Sequence, residues 1–388
     1  MLLIEPERAA LPSNRVEWLD RQLTRICVLS ELTATQYKNA EEKYRAAGSW
    51  LAVPGSSLAP FRPEIYPQGS MLLGTTVRPY NDRHEYDLDL VCQLHHCGHE
   101  LPLVVYEWVY GRIAENQTYK EILERLKRCL RLNYAGAFHL DILPACPNGG
   151  LGNGAILVPD RKLECWKHSN PKGFAEWFFA RCVVRDALAE REMRASVEPL
   201  PSPVPSEYKY PLQRIVQLMK RHRDIYFMGG RDIARSVILT TLAGQFYQGQ
   251  RSLSLALESV LDGIFNATEA CPGVPLILNP VHDGENFADT WDQEKYDKFR
   301  AYIRNFRNTL KRAMHPDLVE QRKGLEAASD PLGQLFGSDR VKEAIRREAA
   351  ELNEHRNGGM LGVTSSGLLT SASMPKSVPV TRNQFYGR

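Results

Sequence analysis

Asp87 and Asp89 stand one residue apart in the run Tyr86-Asp-Leu-Asp-Leu-Val-Cys92. A strand sends alternate side chains to opposite faces, so these two carboxylates project together while Leu88 and Leu90 pack behind them. Carboxylates held side by side repel each other unless a cation sits between them. Oxygen-only ligands of this kind suit Mg²⁺ or Mn²⁺ and not zinc. The segment Phe138-His-Leu-Asp-Ile-Leu-Pro144 alternates in the same way, with Leu140 and Ile142 on the face opposite Asp141. If this strand lies beside the first, Asp141 joins Asp87 and Asp89 around a pair of metal ions. Two such ions serve in-line phosphoryl or nucleotidyl transfer, one activating the attacking hydroxyl and one holding the leaving pyrophosphate.

Upstream, Gln68-Gly69-Ser70 has the composition of a phosphate-binding turn. The glycine lets backbone come close to a phosphate, and the serine adds a hydroxyl and an N–H. The competing reading of Asp-x-Asp is a solvated pair capping a strand end. The apolar continuation Leu90-Val91 and the nearby Gly69-Ser70 favour the metal-binding reading.

These groups need elements to position them. Val16, Leu19, Leu23, Ile26 and Cys27 recur at helical spacing, and helix continues over 29–47 with a break near Thr33. Residues 48–65 read as a loop, 71–76 as a short helix or turn, and 80–84 as a polar bend. The spacing predicts helix over 103–131, a glycine-rich turn at 148–154, a short strand over 156–159, and helix from Trp166 to Asp186. Five prolines between 195 and 211 demand an extended connection. Helices follow at about 211–225, 232–248, 252–265 and 293–313, and a charged one at 340–355. In the helix over 293–313, Phe299, Ile303, Phe306 and Leu310 share one face. Arg300, Arg304, Arg307 and Lys311 stripe another, either a solvated face or a surface for nucleic acid. After Arg356 the composition turns to Gly, Ser, Thr, Val and Pro, too little apolar area to fold alone.

With 388 residues and a net charge of +3, the chain is long enough for a bilobal unit and too balanced to announce a nucleic-acid binder. No apolar run approaches membrane-spanning length and no secretion signal opens the chain, so a cytoplasmic protein is expected. The eight cysteines lack framework spacing and read as free thiols. Cys92, His95, His96, Cys97 and His99 cluster within eight residues, but no second ligand pair at zinc-finger spacing accompanies them.

Gly-Ser, then Asp-x-Asp, then a later lone Asp on a strand resembles the polymerase-β-like nucleotidyltransferase superfamily. Two further stretches, Pro211–Asp224 (PLQRIVQLMKRHRD) and Asn279–Trp291 (NPVHDGENFADTW), resemble second-lobe signatures of bacterial cGAS/DncV-like nucleotidyltransferases (CD-NTases). The resemblance implies an α+β fold, a mixed sheet flanked by helices, with a long N-terminal helix and a helical second lobe. It implies a core over 1–195, an oligoadenylate-synthetase-like lobe over 196–355 and a flexible tail over 356–388. It casts Asp87 and Asp89 as ligands to both Mg²⁺ ions (Mn²⁺ as substitute), and Asp141 as the ligand that helps deprotonate a 3′-hydroxyl. Ser70 and its N–H would hold the β- and γ-phosphates with Gly69 allowing the turn, Gln68 would face the nucleotide, Lys220 and Ser236 the triphosphate, and Asp283 the base.

The implied activity is condensation of ATP and other nucleoside triphosphates into a cyclic di- or trinucleotide for anti-phage (CBASS) signalling. No nucleic-acid activator or membrane is required. The alternatives are linear synthesis or nucleotide transfer to RNA or protein, and, outside enzymes, a nucleic-acid-binding scaffold. The end Phe385-Tyr-Gly-Arg388 resembles tails that an E1/E2-like operon partner joins to a target, although here glycine is penultimate.

Overall fold

Leu88, Leu90, Leu140 and Ile142 have no accessible surface, and the strands that carry them form the centre of the molecule's main sheet. The computed structural model describes residues 13–79, 85–97, 100–136, 138–149, 154–182, 198, 200, 209–230, 233–315, 328–363, 369–373 and 377–380. The first Asp-bearing strand is β2 (Tyr86–Leu94) and the second is β5 (Phe138–Pro147). They pair in parallel, with Asp89 directly across from Asp141. On the other edge of β2 lies antiparallel β1 (Pro63–Gln68), and beyond β5 lie β4 (Leu130–Tyr134) and β3 (Leu123–Arg125). A further pair, β6 (Ile156–Asp160) and β7 (Cys165–Ser169), continues from the end of β5.

One face of this sheet is covered by helices. Tyr44, Ala47 and Leu51 of α2 (Ala34–Ala52) and Val105, Tyr106 and Val109 of α4 (Pro102–Ala114) pack onto the leucines of β2 and β5. Burying a valine or leucine side chain of this kind contributes roughly 1.5–3 kcal/mol. The opposite face holds the aspartates at one end and turns apolar at the other, where Val91 meets Tyr66, Ala145, Ile156 and Val158. The expected helix break is at Thr33, after α1 (Ser13–Ser30). Its hydroxyl accepts from the Gln36 N–H at 3.2 Å, and the Gln36 side chain accepts from the Thr33 N–H at 3.0 Å, a reciprocal cap for α2.

Four sequence expectations need correction. The helix expected over 103–131 ends at Ala114, and after α5 (Gln117–Ile122) the chain becomes β3 and β4. Leu130 and Leu132 are buried against β5 on alternate positions, so long-range pairing overrides local helical spacing. Trp166 lies in β7, and helix starts only at α6 (Pro171–Cys182), where the Asn170 side chain accepts from the Gly173 N–H at 2.8 Å. Cys97 and Cys146 are not free thiols but form a disulfide, with Cα atoms 5.9 Å apart. That bond withdraws Cys97 from any zinc cluster, and His99 lies outside the described residues. Lastly, the chain after Arg356 forms a small antiparallel sheet, Leu361–Val363 between Leu369–Ser371 and Val378–Pro379. Residues 381–388 lie outside the described residues, as does the bend expected at 80–84.

Further along come the helices α7 (Pro211–Tyr226), α8 (Ser236–Phe246), α9 (Leu253–Ala270) and α10 (Gln293–Met314), with a hairpin of β8 (Leu278–Asn279) and β9 (His282–Asn286) before α10. The arginine stripe of α10 is paired: Arg304 reaches Glu269 at 2.7 Å, Arg300 reaches it at 3.4 Å, and Arg307 reaches Asp262 at 2.5 Å, both acids on α9. The described residues divide into two compact units, one from Ser30 to Arg307 and one joining the residues up to Leu29 with those from Asn308. Within the second, Arg21 and Gln22 of α1 both donate to Glu348 on the helix Ser338–Asn357. No helix among the described residues is long and apolar enough to cross a membrane.

Candidate active site

The site is built around a glycine that cannot be replaced without a clash. Gly69 follows β1 with φ +63°, and a Cβ there would lie 2.5 Å from Oδ2 of Asp89. The left-handed backbone and the close approach both require glycine. The turn that begins at Gly69 is then fixed by its own bonds. The Thr75 N–H donates to the Ser70 carbonyl at 2.9 Å, and the Thr76 hydroxyl donates to the Ser70 hydroxyl at 3.2 Å.

Helix α7 holds this turn from outside through three side chains spaced at i, i+4 and i+7. Gln213 donates to the Leu73 carbonyl at 2.8 Å, Gln217 to the Thr76 carbonyl at 3.0 Å, and Lys220 to the Thr75 carbonyl and hydroxyl at 3.1 Å each. Such spacing places all three on one helix face. Lys220 is 3% exposed, so its ammonium is a largely desolvated charge that needs these oxygens. One turn on, Arg223 is buried and donates to the Ser236 hydroxyl at 3.0 Å and the Ala234 carbonyl at 3.2 Å, while its charge is met by Asp224 at 2.6 Å. Arg223 therefore fixes Ser236 at the start of α8.

A cavity of about 310 Å³ opens between these parts. Gln68, Gly69, Ser70, Asp87, Asp89, Lys220 and Ser236 line it, so seven of the residues singled out in the sequence share one cavity. Asn279, Glu285 and Phe287 line it as well, with Asn279 donating to Glu285 at 2.8 Å. Burial raises the Glu285 carboxyl above its usual range. Asp283 lies on the same strand as Glu285, β9, and its side chain is outside the described residues.

Asp141 is not among the lining residues but lies next to Asp89 in the sheet. Arg131 on β4 lies across from it in the sheet and donates from Nε and Nη2 to both carboxylate oxygens, at 2.7 and 2.8 Å. The same Nη2 stands 3.5 Å from Oδ1 of Asp87. The hydrogen bonds to Asp141 raise the pKa of Arg131, so it stays a cation. Arg131 was not singled out in the sequence, because it fell in the stretch read as helix. The signal that could have found it is the apolar alternation Leu130-Arg131-Leu132, which puts the arginine on the aspartate face.

Burial pushes the Asp89 carboxyl up to about 8, and the neighbouring charges of Asp141 and Asp87 push the same way. Lys220 and Arg131 pull it back. Burial is the larger cause, and the like charges of Asp141 and Asp87 add a repulsion that a divalent cation would relieve. The all-oxygen donor set fits a hard ion such as Mg²⁺. In the observed rotamers, no three His, Cys, Asp or Glu side chains among the described residues stand together as a ligand cage.

The chain is similar to known proteins over nearly its whole length. Residues 31–181 match the Second Messenger Oligonucleotide or Dinucleotide Synthetase domain family. Over 385 residues, 97% of this chain and 99% of the relative, it is 36% identical to a c-di-GMP synthase of Roseivirga ehrenbergii. It is 26% identical to the cyclic dinucleotide synthase CdnG of Bradyrhizobium diazoefficiens, covering 92% of this chain and 89% of that protein. Among solved structures, the same CdnG in complex with GTP superposes with a TM-score of 0.66 at 23% identity, covering 85% of this chain and 98% of that one. Escherichia coli CdnC with ATP superposes with a TM-score of 0.59 at 12% identity, covering 82% and 98%. The structural likenesses establish a shared fold.

Proposed function

The chain belongs to the cGAS/DncV-like nucleotidyltransferases, and on that basis we propose that it condenses two nucleoside triphosphates into a cyclic dinucleotide. Cyclic di-GMP, the product named for the 36% identical relative, is the first to expect. In each of two steps a 3′-hydroxyl oxygen bonds to an α-phosphorus, the bond from that phosphorus to the β-phosphate oxygen breaks, and pyrophosphate leaves with the electron pair. The second step joins the two ends of the linear intermediate and closes the ring.

The observation that carries this reading is the approach of the Gly69 backbone to Asp89, too close for any Cβ, which would bring a phosphate held by that turn beside the carboxylates. Asp87, Asp89 and Asp141 would hold Mg²⁺, or Mn²⁺ in its place. Such an ion, when bound, lowers the pKa of the attacking hydroxyl and offsets charge on the departing pyrophosphate. The chain's own part is orientation. Gln68, Gly69 and Ser70, which line the cavity with Lys220 and Ser236, would face the nucleotide and its β- and γ-phosphates, and Asp283 would lie toward the base. Lys220, which lines the cavity, would bring a positive charge to the triphosphate.

The division of labour we infer is a catalytic core over 1–195, a helical lobe over 196–355 and a tail over 356–388. We place the enzyme in the cytoplasm, in anti-phage (CBASS) signalling. ATP is among its nucleotides, and the tail is the part on which an E1/E2-like operon partner would act. Incubating the purified protein with α-labelled nucleoside triphosphates and Mg²⁺ tests the activity. The expected product is small, soluble and resistant to phosphatase, and is absent with Asp87→Asn. Label appearing only in RNA or protein would overturn the reading.

A further inference from the structure

We propose that Arg131 is a positioning residue that competes with the divalent cation for Asp141 and Asp87, and so sets how readily the site takes up metal. The inference rests on the reading of the three aspartates as metal holders. Its structural basis is the sheet itself. β5 lies between β4 and β2, which sets Arg131 across from Asp141 on one side and Asp89 across from it on the other. The guanidinium forks onto both oxygens of Asp141 and extends to within 3.5 Å of Asp87. Backbone register therefore delivers a permanent positive charge to the oxygens that a cation would use.

A guanidinium does not lose its proton in a protein, so this charge cannot be titrated away to make room. A bidentate fork also engages both oxygens of the acid and leaves only their remaining lone pairs for another partner. A divalent ion on the same carboxylate would lie a few ångströms from the guanidinium, where like charges repel strongly in a partly desolvated site. Either Arg131 turns aside or the ion is held weakly. The arginine side chain is 23% exposed, which leaves it an open side toward which to turn. The negative charge of an arriving triphosphate offsets the guanidinium, so metal uptake and nucleotide uptake become coupled through one residue. The coupling also has a structural side, because Arg131 fixes the orientation of Asp141 whenever the ion is absent.

Mn²⁺ binding to the purified full chain, followed by the loss of the free-ion signal in electron paramagnetic resonance, tests this directly. Wild type, Arg131→Gln and Arg131→Lys are compared without nucleotide and then with a non-hydrolysable GTP analogue. Removing the charge in Arg131→Gln should tighten Mn²⁺ binding on the order of tenfold. Arg131→Lys keeps a charge but cannot fork, and should tighten it by roughly threefold. Both differences should shrink when the nucleotide analogue is present. If either folded variant binds Mn²⁺ no more tightly than wild type, the proposal is wrong. If wild type binds no Mn²⁺ with or without nucleotide, the metal reading of the aspartates falls and takes this inference with it.

Discussion

Asp89 shows how a carboxyl lining a cavity can work against the stability of the fold that carries it. Its pKa of about 8 lies above that of an ordinary carboxyl, chiefly through burial. For an acid raised in this way, the folded and unfolded chains are equally protonated below about pH 4. As pH rises from there to about 8, the unfolded chain ionises and the folded one resists, so stability is lost across that window. Asp89→Asn should therefore raise the melting temperature of metal-free protein at pH 8. The gain should fade toward pH 4, where differential scanning calorimetry should find the two proteins alike. A variant no more stable than wild type at pH 8 would remove the burial argument. At this scale the sequence was legible where alternation alone decides a side chain's face, as for Asp87, Asp89 and Asp141. It was silent on Arg131 and on the Cys97–Cys146 bond, because both depend on which strands become neighbours.

At the scale of elements, the feature that organises the site is the grip of α7 on the turn over 73–76. Gln213→Ala would leave the buried Leu73 carbonyl without its donor, a loss of about 1–3 kcal/mol. It would also loosen the turn that carries Ser70. The expected outcome is a kcat/KM lowered on the order of tenfold, mostly through KM for the triphosphate, with a modest fall in melting temperature. A change in melting temperature with unaltered kinetics would mean that α7 supports the fold and not the site. The long helices were legible in the sequence, since an apolar stripe repeats over several turns. The expected 211–225 and 293–313 became Pro211–Tyr226 and Gln293–Met314. The strands β3, β4 and β7 were not legible, because three to five residues offer too few repeats to separate periods of 2 and 3.6. Their conformation is set by partners distant in sequence.

At the scale of the whole molecule, a relative 36% identical along 97% of the chain ties the fold to synthesis of a cyclic product. On the proposed reading the three aspartates and the Gly69 turn supply the means, and closing the ring is the step that separates this chemistry from making a linear strand. Each phosphodiester bond releases one pyrophosphate, so a ring of two nucleotides releases two and keeps no 5′-triphosphate. The decisive measurement is pyrophosphate counted against dinucleotide formed from GTP alone, with the product weighed by mass spectrometry. Two pyrophosphates per dinucleotide and the mass of cyclic di-GMP, both lost in Asp141→Asn, are predicted. One pyrophosphate per dinucleotide, with a triphosphate still on the product, would contradict cyclisation.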